Sequence, residues 1–426
     1  MPKIGEDFLM SQQKCSDHDY ALESVPTESK KGFLPMFAIM LGFTFFSASM
    51  WAGGTLGTGL KFSTFILVVL IGNLLLGVYT GALAYIGSST GLSTHLLARY
   101  SFGEKGSYLA SLILGITQVG WFGVGVAMFS LPVHYSTGID LNVLILLSGV
   151  LMTSTAYFGI KSLTALSIIS VPLITILGTY SVTGAVNSIG GISKLFTVEP
   201  VDNLGLAVGI TLCIGSFISG GTLTPDFARF SKNKSIGVIS TFIAFFIGNS
   251  LMFIFGAIGA STLGQLDISE VMLKQGLIIP AIIILGLNIW TTNDNALYAS
   301  GLGFSNITKI PKKYIVIFNG LVGTLGALVL YNNFVGWLTL LSSIIPAIGG
   351  IIISDYFVNK NQKYASLENV KFKKVKWNAV IAWILGVLAT KFLPGISPIN
   401  AVLGSAITYI VLEKISNKVP FKKKKE

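Results

Sequence analysis

Windows of about 20 apolar residues, the length an α-helix needs to cross a bilayer, recur twelve times between positions 33 and 415. A chain patterned this way is constrained to a membrane, where every backbone polar group must be satisfied inside the protein. The windows fall at 33–59, 62–88, 106–134, 142–160, 161–186, 204–230, 235–263, 277–303, 313–331, 333–358, 376–393 and 396–415. Charged residues make up 11% of the 426, against roughly 25% in soluble domains. The runs lack the period-two alternation of an outer-membrane barrel. The expected class is therefore an all-α membrane protein with twelve transmembrane helices.

Lysine and arginine test that count independently, because cytoplasmic loops collect them. With the N-terminus inside, every one falls on the cytoplasmic side except Lys61, Lys194, Lys274 and Lys391. Both termini are expected there. The formal charge of +11 then reads as topology and contact with anionic headgroups, not as nucleic-acid binding. Residues 1–32 are expected to be a polar cytoplasmic tail with no cleavable leader pattern, and 416–426 a basic one. Cys15 and Cys213 offer no disulfide framework, and His18, His95 and His134 match no metal-ligand spacing. No glycine-rich phosphate loop suggests a nucleotide-driven pump. Neither an acid–base cluster of an enzyme nor the output domain of a sensor is evident.

Two spans interrupt their apolar runs with serine and end in the same four residues, FSASMWAGGTL at 46–56 and SFISGGTL at 216–223. Aligning Gly53 with Gly220 sets Ser49 against Ser216, one in span 1 and one in span 6. Spans 1–5 (33–186) and 6–10 (204–358) become two five-helix units, with spans 11 and 12 (376–415) added. An odd number of crossings inverts the second unit. Paired broken segments at matching places in inverted repeats point to a transporter's binding site. The competing reading, small residues serving close helix packing, does not account for Pro225 and Asp226 just after the second break.

Three further segments carry chemistry. In span 3, Gln118 and Trp121 lie three apart and share a helical face, a pairing suited to a flat polar ligand and equally to a core tryptophan packed on the bundle with the amide as interhelical glue. In span 8, Asn288, Thr291, Thr292 and Asn295 form one polar stripe at i, i+3, i+4 and i+7, offering the oxygen ligands that a hard cation takes. Threonines bonding back to their own helix are the alternative. Asp294, an intramembrane acid off that stripe, is a candidate proton carrier or a structural partner for a neighbouring helix. Asp226 and Arg229 are expected to pair locally or serve a gate.

The strings FTFFSASMWAGGTLGTGL, THLLARYSFG, TQVGWFGVGVAM, GNSLMFIFGA, NIWTTNDNALYASGLGF, YNNFVGWLTLLS and LPGISPINAVLG resemble the bacterial cytosine-transporting branch of the nucleobase–cation symporter-1 family. The resemblance covers about residues 31–415. It implies a LeuT-like fold of two inverted five-helix repeats with helices 1 and 6 broken, in the inner membrane, working as a monomer without a cofactor. It also implies import of cytosine with a co-transported cation, sodium in the first instance. By position, Trp121 and Phe217 would sandwich the base. Ser216, Ser219, Asn288 and Gln118 would meet its polar edge. Phe43 and Phe46 carbonyls with Asn288, Thr291 and Thr292 would hold sodium. Another nucleobase, a hydantoin- or allantoin-like ring, and proton coupling remain the alternatives. The tails and the loop at 195–203 depart from the pattern.

Overall fold

The computed structural model describes residues 19–201, 203–333 and 340–418. Cys15, His18, the acids before them, the 334–339 part of YNNFVGWLTLLS and the lysines beyond 418 lie outside the described residues. Six helices are long and apolar enough to cross a bilayer: Phe62–Thr90, Ser107–Thr137, Ile160–Ser188, Lys234–Lys274, Leu340–Asn359 and Ser397–Ser416. Phe33–Thr44 and Ser47–Gly59 together make one more crossing, bent by 55°. Leu141–Tyr157, Leu206–Gly215 and Trp377–Phe392 are shorter apolar helices. Ile278–Thr308 runs for 31 residues, but its polar stripe lowers its hydropathy, and most of its second half is buried by neighbouring helices. Lys312–Leu325 and Ala327–Asn332 complete the ninth crossing. Every expected window thus has its helix. Among the described residues the single β-type contact is an isolated bridge from Lys31 to Ser231.

Small residues decide how the spans pack. Gly42 on the first half of span 1 faces Ser167 of span 5, with no room for a side chain between them. The second half lies against span 7, where a Cβ on Gly53 would overlap the Phe253 main chain and one on Gly57 would stand 2.6 Å from the Ala257 Cβ. Span 3 runs along span 8, with Gly115 against the Phe304 ring and Gly125 against Asn293. Spans 11 and 12 pair with each other through Gly386 and Ser405 and rest on span 10 through Gly350. Spans 4 and 5 turn Leu146, Leu147, Val150, Ile168, Ile169 and Ile176 outward, the apolar exterior that lipid requires.

The Gly-Gly-Thr-Leu echo therefore divides into two uses. In span 1 it lies within a regular helix and serves close approach to span 7, while the break sits farther upstream. In span 6 it lies in the short helix Ile218–Thr222 and the break at Leu223 that follows, and Gly220 leaves room for the Phe43 and Phe217 rings. Close packing, the competing reading of these motifs, holds for the first copy.

Gly53→Ala is expected to force spans 1 and 7 apart and lower stability by about 1–3 kcal/mol, the usual cost of overpacking. Gly205→Ala, at a position with open space around it and φ −74°, is expected to leave the melting temperature unchanged. Thermal unfolding of the two detergent-solubilised variants checks the pair.

Candidate functional site

The first half of span 1 ends where Thr44 turns its hydroxyl back onto the Leu41 carbonyl at 3.0 Å, a bond that competes with the helix ladder. Phe45 and Phe46 follow in extended conformation (φ −80°, ψ 92° and φ −140°, ψ 134°), and a new helix begins at Ser47. Span 6 breaks at Ser216 and Phe217, runs as a short helix Ile218–Thr222, and breaks again at Leu223 before Pro225 opens Thr224–Ala228. Proline suits that first turn because its missing N–H would be unpaired there anyway.

The two breaks meet at the centre of the bundle. Phe43, Phe46, Gln118, Trp121, Ser216, Phe217, Ser219, Gly220, Thr292 and Ala296 line one pocket there. Trp121 Nε1 donates to Ser219 Oγ at 3.0 Å, tying span 3 to the span 6 break. Ser216 Oγ donates to the Cys213 carbonyl at 2.9 Å. The buried Gln118 amide nitrogen has no hydrogen-bond partner among the described residues. An unpaired buried donor is costly, by about 1–3 kcal/mol, and a ligand acceptor would relieve it.

The pocket is shut. Its cavity is about 20 Å³, close to the minimum for one water. Phe46 stands edge-on to Trp121 at 5.4 Å and edge-on to Phe217 at 6.4 Å, so its ring bridges the two expected aromatic walls. Phe43 and Phe245 pack edge-on against Phe217 at 5.0 and 5.4 Å. Phe245 is delivered by a π turn, Ala244–Gly248, inside span 7, a device often found at functional sites.

Asn288 lies beside this pocket and not in its lining. Its Oδ1 accepts from Ser47 Oγ at 3.0 Å, and its carbonyl accepts from Thr291 Oγ1 at 3.0 Å and Thr292 Oγ1 at 3.3 Å. Thr291 also bonds back to the Leu287 carbonyl at 3.0 Å, the self-bonded state weighed against ion binding. Thr292 Oγ1 lies between its own helix and the break, with its shorter contact to the Phe45 carbonyl at 3.1 Å. The Phe46 carbonyl starts the second helix, accepting from Ser49 and Met50 N–H at 3.0 and 3.4 Å. The oxygen facing the span 8 hydroxyls across the break is thus that of Phe45, which no sequence pattern singled out. Asp294 points the other way and accepts from Thr155 Oγ1 at 2.5 Å, the structural-partner role.

A second polar cluster closes the N-terminal end of the bundle. Asp226 takes the Thr94 N–H at 2.7 Å and faces His95 Nε2 at 3.6 Å. Arg229 meets only the main-chain oxygen of Asp226, at 3.1 Å, and sends its guanidinium to the Asp19 and Tyr20 carbonyls at 2.6 and 2.7 Å and to Tyr298 Oη at 3.0 Å. The expected Asp226–Arg229 pair is thus replaced by a link from span 6 to the N-terminal segment. Asp19 also pairs with Lys312 Nζ at 2.5 Å and accepts from Ile160 N–H at 3.1 Å. Sequence reasoning missed Asp19, Tyr298 and Lys312. A lysine at the very start of a span was the available signal.

Two broken helices meeting over a buried aromatic and amide pocket, beside a span 8 hydroxyl bonded to the Phe45 carbonyl, are the architecture of a membrane transporter built on two broken spans. The solved structures agree: Mhp1, a nucleobase–cation symporter-1 family transporter in a closed form with bromovinylhydantoin, matches at a TM-score of 0.83 over 95% of this chain and 97% of that one, at 17% identity. A sodium-coupled sialic acid symporter matches at 0.68 over 96% and 93%, at 15% identity. The fold is therefore LeuT-like. Residues 24–412 match the family described as permeases for cytosine/purines, uracil, thiamine and allantoin, and the chain belongs to that family. It is 58% identical to the cytosine permease of Escherichia coli K12 over 94% of this chain and 96% of that one. It is 22% identical to the hydantoin permease of Microbacterium maritypicum over 75% and 73%. A multi-pass membrane permease, not an enzyme, is what this family comprises.

Replacing one partner of a buried ion pair strands the other charge, at about 3–5 kcal/mol. Asp19→Asn is accordingly expected to lower the melting temperature by several degrees. The double change Asp19→Leu with Lys312→Met is expected to recover most of the loss. Thermal unfolding of the three proteins measures this.

Proposed function

We propose that this permease carries cytosine inward across the bacterial cytoplasmic membrane together with a sodium ion, by alternating access, with the N-terminal end of the bundle facing the cytoplasm. The observation that carries the reading is the convergence of Trp121, Phe217 and the unpartnered Gln118 amide on one pocket between the two broken spans. Cytosine is neutral and flat. It needs aromatic faces and hydrogen-bonding groups, and among the described residues no charged side chain lines this pocket. The 58% identity to a cytosine permease over nearly the whole chain favours this base over the hydantoin alternative, which rests on 22%.

Base entry requires the Phe46 ring to leave its place between Trp121 and Phe217. The ring follows its main chain, and that main chain is the break of span 1. Sodium would bind to carbonyl oxygens freed at this break and to Thr292 on span 8, with Thr291 turning from its own helix to join. Asn288 ties span 8 to the second half of span 1: its carbonyl accepts from the threonines and its side-chain oxygen accepts from Ser47. Each ligand then raises the affinity for the other by the same factor. Asp294, turned toward Thr155 and away from the breaks, gives proton coupling less support.

Phe217→Ala and Gln118→Ala are expected to weaken cytosine binding, the former by about 10- to 100-fold, the range for losing one stacked face. Thr292→Ala is expected to bring affinity in sodium down to the sodium-free value. Equilibrium binding with sodium present and absent at fixed pH tests both. Uptake driven by a pH gradient and indifferent to sodium would overturn the ion assignment, and inhibition by hydantoin without inhibition by cytosine would overturn the substrate.

A further inference from the structure

Two of the rings packed edge-on against Phe217 ride on span 1, Phe43 at 5.0 Å and Phe46 at 6.4 Å. Among the described residues Phe245, at 5.4 Å, is the one ring on Phe217 that span 1 does not carry. It is fully buried. On span 7 the buried positions 240–241, 244–245, 248–249 and 252–253 repeat every four residues, longer than the 3.6 of a regular α-helix. The π turn Ala244–Gly248, closed by the Asn249 N–H on the Ala244 carbonyl, absorbs the surplus and keeps Phe245 on the buried face. Gly221 of span 6 lies beside it, where a Cβ would meet the Thr80 methyl at 2.9 Å and the Phe245 ring at 3.8 Å. At the other end of the same turn, a Cβ on Gly248 would overlap Thr44 Oγ1 and stand 3.3 Å from the Phe45 ring. One turn of span 7 thus touches both breaks. It is pinned to span 2, where Asn249 Nδ2 donates to Asn73 Oδ1 at 2.7 Å and Asn73 Nδ2 donates to Ser250 Oγ at 2.9 Å.

We propose that Phe245 is a positioning residue for the base, holding the Phe217 ring in the orientation that stacks on cytosine once the Phe46 ring has left. The proposal rests on the cytosine reading above. Phe43 and Phe46 flank the break of span 1, so both shift when that break moves to admit the base. Phe245 stays, because the π turn that carries it is tied to span 2 through Asn73. Phe245 does not line the pocket, so it acts through Phe217 and not on the base itself. A stacking ring left free to turn would have to be immobilised when the base arrives, and that loss of rotamer freedom weakens binding. Edge-on aromatic pairs are directional and contribute beyond their buried area. An aliphatic side chain of similar bulk would therefore fill the space without fixing the ring.

The test is a double-mutant cycle on the full-length protein in lipid nanodiscs, read by equilibrium binding of labelled cytosine in sodium buffer. Phe245→Leu, which keeps apolar bulk and removes the ring, is expected to weaken binding by about 3- to 10-fold, the range for one aromatic pair. Built on Phe217→Ala, the same change is expected to alter affinity by less than about twofold, because no ring is left to hold. In reconstituted vesicles Phe245→Leu should raise the cytosine KM by the same factor as it weakens binding. Melting temperatures identify the folded variants, and Phe245→Met, whose flexible chain fills irregular gaps, repeats the cycle if the leucine variant does not fold. Equal losses in the two backgrounds overturn the positioning role and leave Phe245 a packing residue of span 7. Wild-type affinity in Phe245→Leu overturns it as well, and either result leaves cytosine transport standing. A wild-type protein that does not bind cytosine, or a Phe217→Ala variant that binds it as tightly as wild type, removes instead the stacking reading beneath the proposal.

Discussion

The Thr292 hydroxyl on the Phe45 carbonyl, 3.1 Å across the gap between spans 8 and 1, is the contact on which the centre of this protein depends. A helix broken inside a membrane leaves carbonyl and N–H groups that lipid cannot satisfy. They must be met by other protein groups or by a ligand. Here one freed carbonyl is met by a side chain from the opposite repeat, so the cost of breaking span 1 becomes a connection between the repeats. Two members of the span 8 polar stripe serve the broken span in this way, Thr292 through Phe45 and Asn288 through Ser47, while Thr291 and Asn295 bond within their own helix.

From that centre the two ends of the bundle differ in kind. Toward the N-terminus the buried Asp19–Lys312 ion pair and the Arg229 guanidinium, held by the Asp19 and Tyr20 carbonyls and the Tyr298 hydroxyl, fill the space. Separating the ion pair would strand its charges in a low dielectric. Toward the other end the protein leaves a cavity of about 510 Å³ whose lining includes Ser47, Trp51, Tyr331, Asp267, Glu270 and Lys274. The closed pocket between them is shaped by Phe46, whose ring bridges the aromatic walls. In this arrangement the break of span 1 positions both the Phe46 ring that blocks the pocket and the Phe45 carbonyl that meets Thr292, so in the proposed mechanism one segment would answer to both base and cation.

Much of the site was legible in the sequence because membrane helices obey strong rules. Twelve windows, the i, i+3, i+4, i+7 stripe from Asn288 to Asn295, and the lone Gln118–Trp121 face stand out against an apolar background, and the resemblance to a known family supplied Phe217 and the break residues. The structure brings Trp121, Phe217, Ser216, Ser219 and Gln118 to one pocket. It moves Asn288 to the side, turns Thr291 onto its own helix, and shows the rings of Phe43 and Phe46, not only their main chains, at the site. Rotamer and hydrogen-bond choices of this kind depend on neighbours from distant spans, and no local pattern encodes them.

The sequence by itself determined that this chain is an all-helical membrane protein, where its crossings fall, and which few polar residues sit among them, because the hydrophobic cost of misplacing any of these is large and local. Only the tertiary structure decided that the break in span 1 falls at Phe45–Phe46 and not at the Gly-Gly pair, that Arg229 reaches the N-terminal segment and not the Asp226 carboxylate, and that Asn288 lies beside the pocket and not in its lining. Each of those outcomes is a competition between partners brought together from far apart in the chain. Such a competition is settled by geometry, which packing alone creates.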